Sequence, residues 1–255
     1  MTRYHYVSRD EFLDLAYRQE RALFEIVDAF DVIIVKQMYD PQDVRALRDR
    51  AFEWGRATES SWHPCLDGCP DYHRLHDNYP QAHVKSRMHA FYRHGFYEHN
   101  AELMKFFGEV FAVKCHLAGV ARDSFIESKP SEGPIARVNI HHYPIGGGYQ
   151  AEHIDPVSPF ARIQTLVMAS QIGVDYTVGG LYARPAPDAE PCRVDPHTTI
   201  GDMVVLSPGV QHGVAAVDPD TPYAWDENRG RWMILPIIIH SDYPRPENVK
   251  PQEIK

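Results

Sequence analysis

The sequence predicts a mainly β fold, an eight-stranded jelly roll with helices gathered ahead of it. Three observations carry that prediction. From Ile135 onward the chain breaks into short apolar runs separated by Gly and Pro, the texture of antiparallel strands joined by tight turns. Before that point most apolar residues recur at helical spacing. The 255 residues, 44% hydrophobic and 24% charged, suffice for a single domain (1–255) with a large core.

Taken in order, Ser8 and Glu11 stand three apart just ahead of Phe12, Leu15 and Ala16, the spacing of a capping box at a helix start. Phe30 to Met38 (FDVIIVKQM) is a β-branched run and predicts a strand. Asp40-Pro41 then opens a second helix with Val44, Leu47, Ala51 and Phe52 on one face, and Leu103, Phe106, Phe107, Val110 and Phe111 predict a third. These stripes are core packing. Between them, His63, His73, His76, His83, His89, His94 and His99 are interleaved with Trp62, Tyr72, Tyr79, Arg74 and Arg87 in a stretch expected to be loop-rich. Residues 1–134 are therefore expected to supply helical support and a lid whose polar, aromatic side chains line a substrate pocket. Tyr223 and Trp225, in the long loop from Asp218 to Gly230, are expected to extend that wall. His63, Cys65, Cys69 and His73 are compact enough for a structural zinc, though they match no standard finger spacing. The strand-rich core, 135–243, comprises ARVNIHHY, YQAEHID, RIQTLVMASQ, GGLYARP, CRVD, DMVVLS, HGVAAV and RWMILPIIIH.

Charge narrows the function classes. The formal net charge is −9 and the Lys and Arg residues are scattered, which argues against a nucleic-acid partner. No run approaches the roughly 18 apolar residues of a membrane span, the opening MTRYHYVSRDEF lacks a leader pattern, and four cysteines fit reduced thiols, so a cytoplasmic protein is expected.

The chemistry is concentrated in His153-Ile-Asp155 and His212. Residues i and i+2 of a strand share a side, so His153 and Asp155 can meet one ion, and the strands that follow can return His212 to it. Either piece alone is an ordinary rim pair or core histidine. Together they make the facial 2-His-1-carboxylate set that holds Fe(II) and leaves coordination positions open. Arg231, heading the last strand, would pair bidentately with a carboxylate on a cosubstrate, and Arg229 is the alternative. His141 and His142 must point to opposite faces, His141 sharing the side of Tyr143 and Asn139, and a satisfied buried histidine is the expectation for both.

These residues carry a family resemblance over about half the chain, 135–240. The stretch Tyr143-Pro-Ile-Gly-Gly-Gly-Tyr149 leading to His153 and Asp155, the strand start Gly179-Gly180-Leu181, the run from Gly201-Asp202 to His212, and Arg231-Trp-Met-Ile resemble the Fe(II)/2-oxoglutarate-dependent oxygenases of the prolyl-hydroxylase-like branch. The resemblance implies a double-stranded β-helix of cupin-like jelly-roll form, Fe(II) on His153, Asp155 and His212, and 2-oxoglutarate chelating that iron with its far carboxylate on Arg231. Tyr143, Asn139 and Thr165 would be further cosubstrate contacts, and O2 would take the last iron position. It further implies decarboxylation of 2-oxoglutarate to succinate and CO2, coupled to hydroxylation of an unactivated carbon of a small polar metabolite or natural-product intermediate. Asp155 fills the position that related halogenases leave to halide. The segment between His212 and Arg231 is longer than that branch shows, which keeps Arg229 in play. Ring closure, desaturation, epimerisation and protein hydroxylation stay open. So do a cupin-like metal enzyme without 2-oxoglutarate, which would not need Arg231, and a non-catalytic metabolite-binding jelly roll.

Overall fold

A computed structural model describes residues 3–80, 82 and 84–244. The N-terminal part forms β1 (Tyr4–Ser8), α1 (Arg9–Arg18), α2 (Glu20–Asp28), β2 (Val32–Lys36), α3 (Pro41–Ala57), β3 (Tyr72–Asp77), β4 (Ser86–His94), α4 (Ala101–Phe106) and α5 (Gly108–Leu117). The rest forms β5 (Ile135–Pro144), β6 (Gly148–His153), β7 (Gln164–Met168), β8 (Gly180–Arg184), β9 (Cys192–Arg193), β10 (Met203–Leu206), β11 (Gln211–Val217) and β12 (Gly230–Ile239). These last eight are the strands read from the sequence. Among the described residues no helix is long and apolar enough to cross a membrane.

All twelve strands belong to one hydrogen-bonded sheet that folds back on itself, in the order β1-β2-β10-β7-β12-β5-β4-β6-β11-β8-β9, with β3 pairing β4. The fold-back occurs at β4, whose Ser86 and Arg87 pair with β6 while His89 to His94 pair with β5. The strand period of two sorts side chains cleanly. Ile33, Val167, Val205, Trp232, Ile234 and Phe91 face the helices, while Ile34, Leu166, Met168, Val204, Met233 and Met88 face the interior of the roll and meet Leu181, Ala183 and Val214 from the opposing leaf. Trp232 is fully buried, stacked on His142 at 4.1 Å and near Phe91 at 6.0 Å between ring centroids. Truncating it to Ala should cost about 3–5 kcal/mol.

Helix ends follow the sequence signals where they exist. At α1 the Ser8 Oγ accepts from the Glu11 N–H at 3.2 Å and the Glu11 carboxylate accepts from the Ser8 N–H at 2.7 Å, closing the capping box. Asp40 caps α3 by accepting from the Gln42 N–H at 2.7 Å. The third expected helix is two, broken at Phe107 (φ −93°, ψ 10°), where Gly108 supplies the poorest helix propensity next to proline. The expectation of helical support and a loop-rich lid over 1–134 needs correction as well. β1 to β4 belong to the sheet, and most of the histidine-rich stretch is the β3–β4 hairpin. Alternation in that hairpin was masked because histidine, arginine and tyrosine occupy both of its faces.

Candidate metal centre

β6 and β11 are antiparallel neighbours in which His153 and His212 sit directly opposite one another, their rings 4.4 Å apart. Asp155 lies just beyond the end of β6. Its N–H donates to the carbonyl of Pro208 at 2.9 Å, which ties the carboxylate's carrier to the turn that delivers His212. The tight β5–β6 connection that aims His153 depends on Gly146 (φ 82°) and Gly147 (φ 99°) in the left-handed region, and a Cβ on Gly146 would lie 2.3 Å from the Cα of Tyr223.

The three candidate ligand atoms lie within 4.8 Å of one another, and this is the one such group among the described residues. His153 Nε2 is 3.6 Å from Asp155 Oδ1, and His212 Nε2 is 3.4 Å from Oδ2. Each imidazole also has its Nδ1 2.9 Å from a carbonyl two residues upstream, Ala151 for His153 and Val210 for His212. A carbonyl only accepts, so both Nδ1 atoms carry the proton and both Nε2 lone pairs face Asp155. Gln164 Nε2 donates to Asp155 Oδ2 at 2.7 Å and orients the carboxylate. Held tautomers and a held carboxylate are the outer support that metal ligands require, and two neutral imidazoles with one carboxylate suit a ferrous ion. Burial works against charge on Asp155, but the His153 and His212 rings beside it, which donate from Nε2 when protonated, outweigh it and hold the carboxyl well below its ordinary range. Burial likewise opposes protonation of His153, and its bonds to Asp155 and Ala151 reverse the sign, leaving it raised. Convergent attraction of this kind marks a site built for a cation.

The triad opens into a cavity of about 170 Å³. Leu166, Leu181, Val214, Met233, Leu235 and Ile237 give it an apolar wall, and Asn139, His141, Gln150 and Gln164 interrupt that wall with polar groups. Asn139 Oδ1 and His141 Nδ1 are buried without a hydrogen-bond partner. Unsatisfied groups beside a small cavity fit a polar ligand there.

Neither a protein-family model nor a curated protein sequence matches the chain. Solved structures do match it. A full-length Neurospora crassa protein, solved in complex with α-ketoglutarate and thymine, covers 98% of this chain and 90% of its own at 12% identity with a TM-score of 0.57. A prolyl-4-hydroxylase of Pseudomonas putida covers 86% and 97% at 12% identity and 0.52. An oxidoreductase of the 2OG-Fe(II) oxygenase family from Burkholderia pseudomallei covers 93% and 96% at 10% identity and 0.50. The chain has the fold of the 2OG-Fe(II) oxygenases.

Within that oxygenase fold the remaining expected residues separate. Tyr143 is fully buried, and its hydroxyl donates to Gln150 Oε1 at 2.7 Å, so it reaches the cavity wall through Gln150. Asn139 and His141 line the cavity directly. His142 faces the helices, stacked on Trp232 and bonded through Nε2 to the Arg229 carbonyl at 3.0 Å. The expected satisfied state thus fits His142 at Nε2, whereas His141 keeps an open Nδ1. Thr165 is a correction. It lies on the opposite face of β7 from the cavity-lining Leu166, with its hydroxyl 3.5 Å from the Pro236 carbonyl, because one step along a strand reverses the side.

Arg231 also departs from the expected arrangement. It is fully buried, and its fork is already taken by Asp195, Nε to Oδ2 at 2.7 Å and Nη2 to Oδ1 at 3.2 Å. Tyr176 and the Leu181 N–H also donate to Asp195 Oδ2. Burial by itself would lower the guanidinium pKa, but Asp195 beside it raises it, so the charge stays. Nη1 alone remains buried and unpaired. A Cβ on Gly180 would fall 2.2 Å from Asp195 Oδ2, which explains a glycine at that strand start. Arg229 is largely exposed and paired with Glu227.

The histidine-rich stretch contributes no ligand to the triad. His73 and His89 bond each other at 2.8 Å, His76 faces the Tyr92 hydroxyl at 3.3 Å, and His94 and His99 serve Asp71. His83 lies outside the described residues. His63, Cys65, Cys69 and His73 are not brought together as a metal set. Tyr223 and Trp225 pack against Arg87 and His89, on the face of β4 turned away from the interior. Sequence reasoning missed Gln164 and Asp195. Gln164 was available from its parity with Leu166 on β7, whereas nothing local marks Asp195, which sits in a short turn far from Arg231 in the chain.

Proposed function

We propose that this chain is an Fe(II)/2-oxoglutarate-dependent dioxygenase that oxidises an unactivated carbon of a small molecule, with hydroxylation as the default outcome. The carrying observation is the tautomer-locked triad His153, Asp155 and His212 beside a small polar-and-apolar cavity. Two imidazole Nε2 atoms and one carboxylate oxygen would hold the ferrous ion. When bound, iron and 2-oxoglutarate supply the oxidising power from O2, releasing succinate and CO2.

The protein's part is orientation and exclusion of water. Gln164 keeps Asp155 turned to the ligand set, and the apolar wall from Leu166 to Ile237 dries the space beside it. Arg231, through its free Nη1, is the partner for the far carboxylate of the cosubstrate, with Asn139 and the Tyr143–Gln150 pair as further polar contacts. Four free thiols, Cys65, Cys69, Cys115 and Cys192, accord with a reducing, cytoplasmic setting.

One observation favours a second reading. A fork engaged twice by Asp195 is poorly free to bind a carboxylate bidentately, as a cupin-like metal enzyme without a keto acid would have it. Anaerobic addition of Fe(II) and then 2-oxoglutarate separates the two. The first reading requires a weak visible charge-transfer band that Asp155→Ala abolishes and Arg231→Met makes at least tenfold harder to saturate. Tight Fe(II) binding with no band at any 2-oxoglutarate concentration would establish the second.

A further inference from the structure

β3 pairs with β4 off the main path of the sheet, and the side of this hairpin that continues the interior face carries a consistent chemistry. Arg74 stands opposite Ala90 and His76 opposite Met88 in the hairpin register, and Met88 and Ala90 belong to the interior cluster. Arg74 and His76, with Trp62, Tyr79, Met88 and Gln150, line a second cavity of about 630 Å³. Gln150 also lines the metal cavity, so its side chain forms part of the wall of both spaces.

Three features of this outer cavity point to one ligand class. Two large aromatics stay open to solvent on its wall, Trp62 at 59% and Tyr79 at 45% exposure, and the one other Phe, Tyr or Trp ring as exposed among the described residues is Tyr6 at 54%. Arg74 lies over the Tyr79 ring at 5.0 Å from its centroid and has no carboxylate partner among the described residues. A guanidinium stacked on a ring keeps its N–H edge free to donate. Among the described residues no Asp or Glu lines the cavity, although the chain as a whole carries a net charge of −9. Burial pulls His76 down to about 4, so at neutral pH it offers hydrogen bonding rather than charge, and Arg74 is the cation of the wall.

We infer that the substrate is a planar aromatic or heteroaromatic small molecule bearing an anionic group, its ring against Trp62 and Tyr79 and its anion on Arg74, with the carbon to be oxidised pointing past Gln150 toward the triad. This rests on the oxygenase reading for the fate of the substrate but not for its recognition. Aromatic surface supplies affinity without strict shape, and the single cation supplies orientation.

The test is equilibrium binding without added iron or 2-oxoglutarate, followed by tryptophan quenching and ligand-observed NMR. The probes are a panel of aromatic carboxylates and phosphates, an indole carboxylate among them, each beside its neutral carboxamide or alcohol and a saturated-ring carboxylate. The expected result is that aromatic anions bind at least tenfold tighter than either control, that Arg74→Gln removes that preference while leaving the neutral aromatic unchanged, and that Trp62→Ala weakens both aromatics. Failure of every aromatic anion to bind, equal binding of anion and amide, or indifference to Arg74→Gln overturns the inference. Because the charge-transfer titration is separate, loss of this preference with the band intact sinks only the substrate class. A missing band with the preference intact sinks only the oxygenase reading.

Discussion

The Arg231–Asp195 pair offers the sharpest energetic test, because both side chains are 1% exposed or less and the contact is bidentate. At about 3 Å and an effective dielectric near 20, Coulomb attraction is on the order of 5 kcal/mol, against a desolvation penalty of several kcal/mol per ion. The net worth of the pair is therefore small, but the cost of breaking it from one side is large. Asp195→Asn keeps the shape and an acceptor for the Leu181 N–H, yet strands a buried guanidinium. It should lower the unfolding free energy by about 3–5 kcal/mol. Arg231→Met alone should cost a similar amount by leaving the carboxylate with only Tyr176 and Leu181 as donors. The double variant should recover most of the loss, giving a coupling energy above about 2 kcal/mol. Urea denaturation followed by far-ultraviolet circular dichroism at pH 7 measures all three. A single-variant cost below about 1 kcal/mol, or strict additivity, would refute the claim that the two charges are buried against each other.

Further expectations follow from other residues. Asp155→Ala and His212→Ala should each abolish stoichiometric Fe(II) retention after gel filtration while leaving the urea midpoint nearly unchanged, and a variant that keeps its iron would remove that residue from the ligand set. If Arg231 rather than Arg229 receives the cosubstrate, Arg229→Gln should leave the 2-oxoglutarate dissociation constant within about twofold in calorimetry, since its guanidinium is 65% exposed and tied to Glu227. Burial disfavours the Asp71 charge, but hydrogen bonds from His94, His99 and Asn100 lower its carboxyl from 3.8 to about 2. The folded pKa is depressed, so its contribution of roughly 2 kcal/mol is present above about pH 4 and lost as pH falls toward 2, and Asp71→Asn should flatten that part of the acid-denaturation curve. Lys114 is buried, donates to the Ile163 carbonyl at 3.0 Å, and is lowered by burial from 10.5 to about 8. Its native state resists protonation, so Lys114→Met should stabilise the protein by roughly 2–3 kcal/mol at pH 7 after allowing for the lost hydrogen bond, and the advantage should shrink as pH rises from about 8 to 10.5. Thermal melts across that range decide it.

What the sequence by itself determined is whatever is written in local periodicity and short spacing. The strands from β5 to β12 were legible because their residues alternate between two packed faces and Gly or Pro closes each one, and the caps of α1 and α3 because a cap is a contact between residues two or three apart. His153, Asp155 and His212 were legible for the same reason, His153 closing β6 with Asp155 two residues past it and His212 near the start of β11. The side on which Thr165 falls was decided only by the register of β7, since one residue of shift exchanges the cavity face for the core face. The identity of β3 and β4 as strands also waited for the fold, because polar residues cover a face that is buried only where the hairpin meets β5 and β6. Asp195 waited too. Its meeting with Arg231 is a long-range contact between two buried charges, and no local pattern encodes which distant carboxylate a closing sheet will bring to a guanidinium.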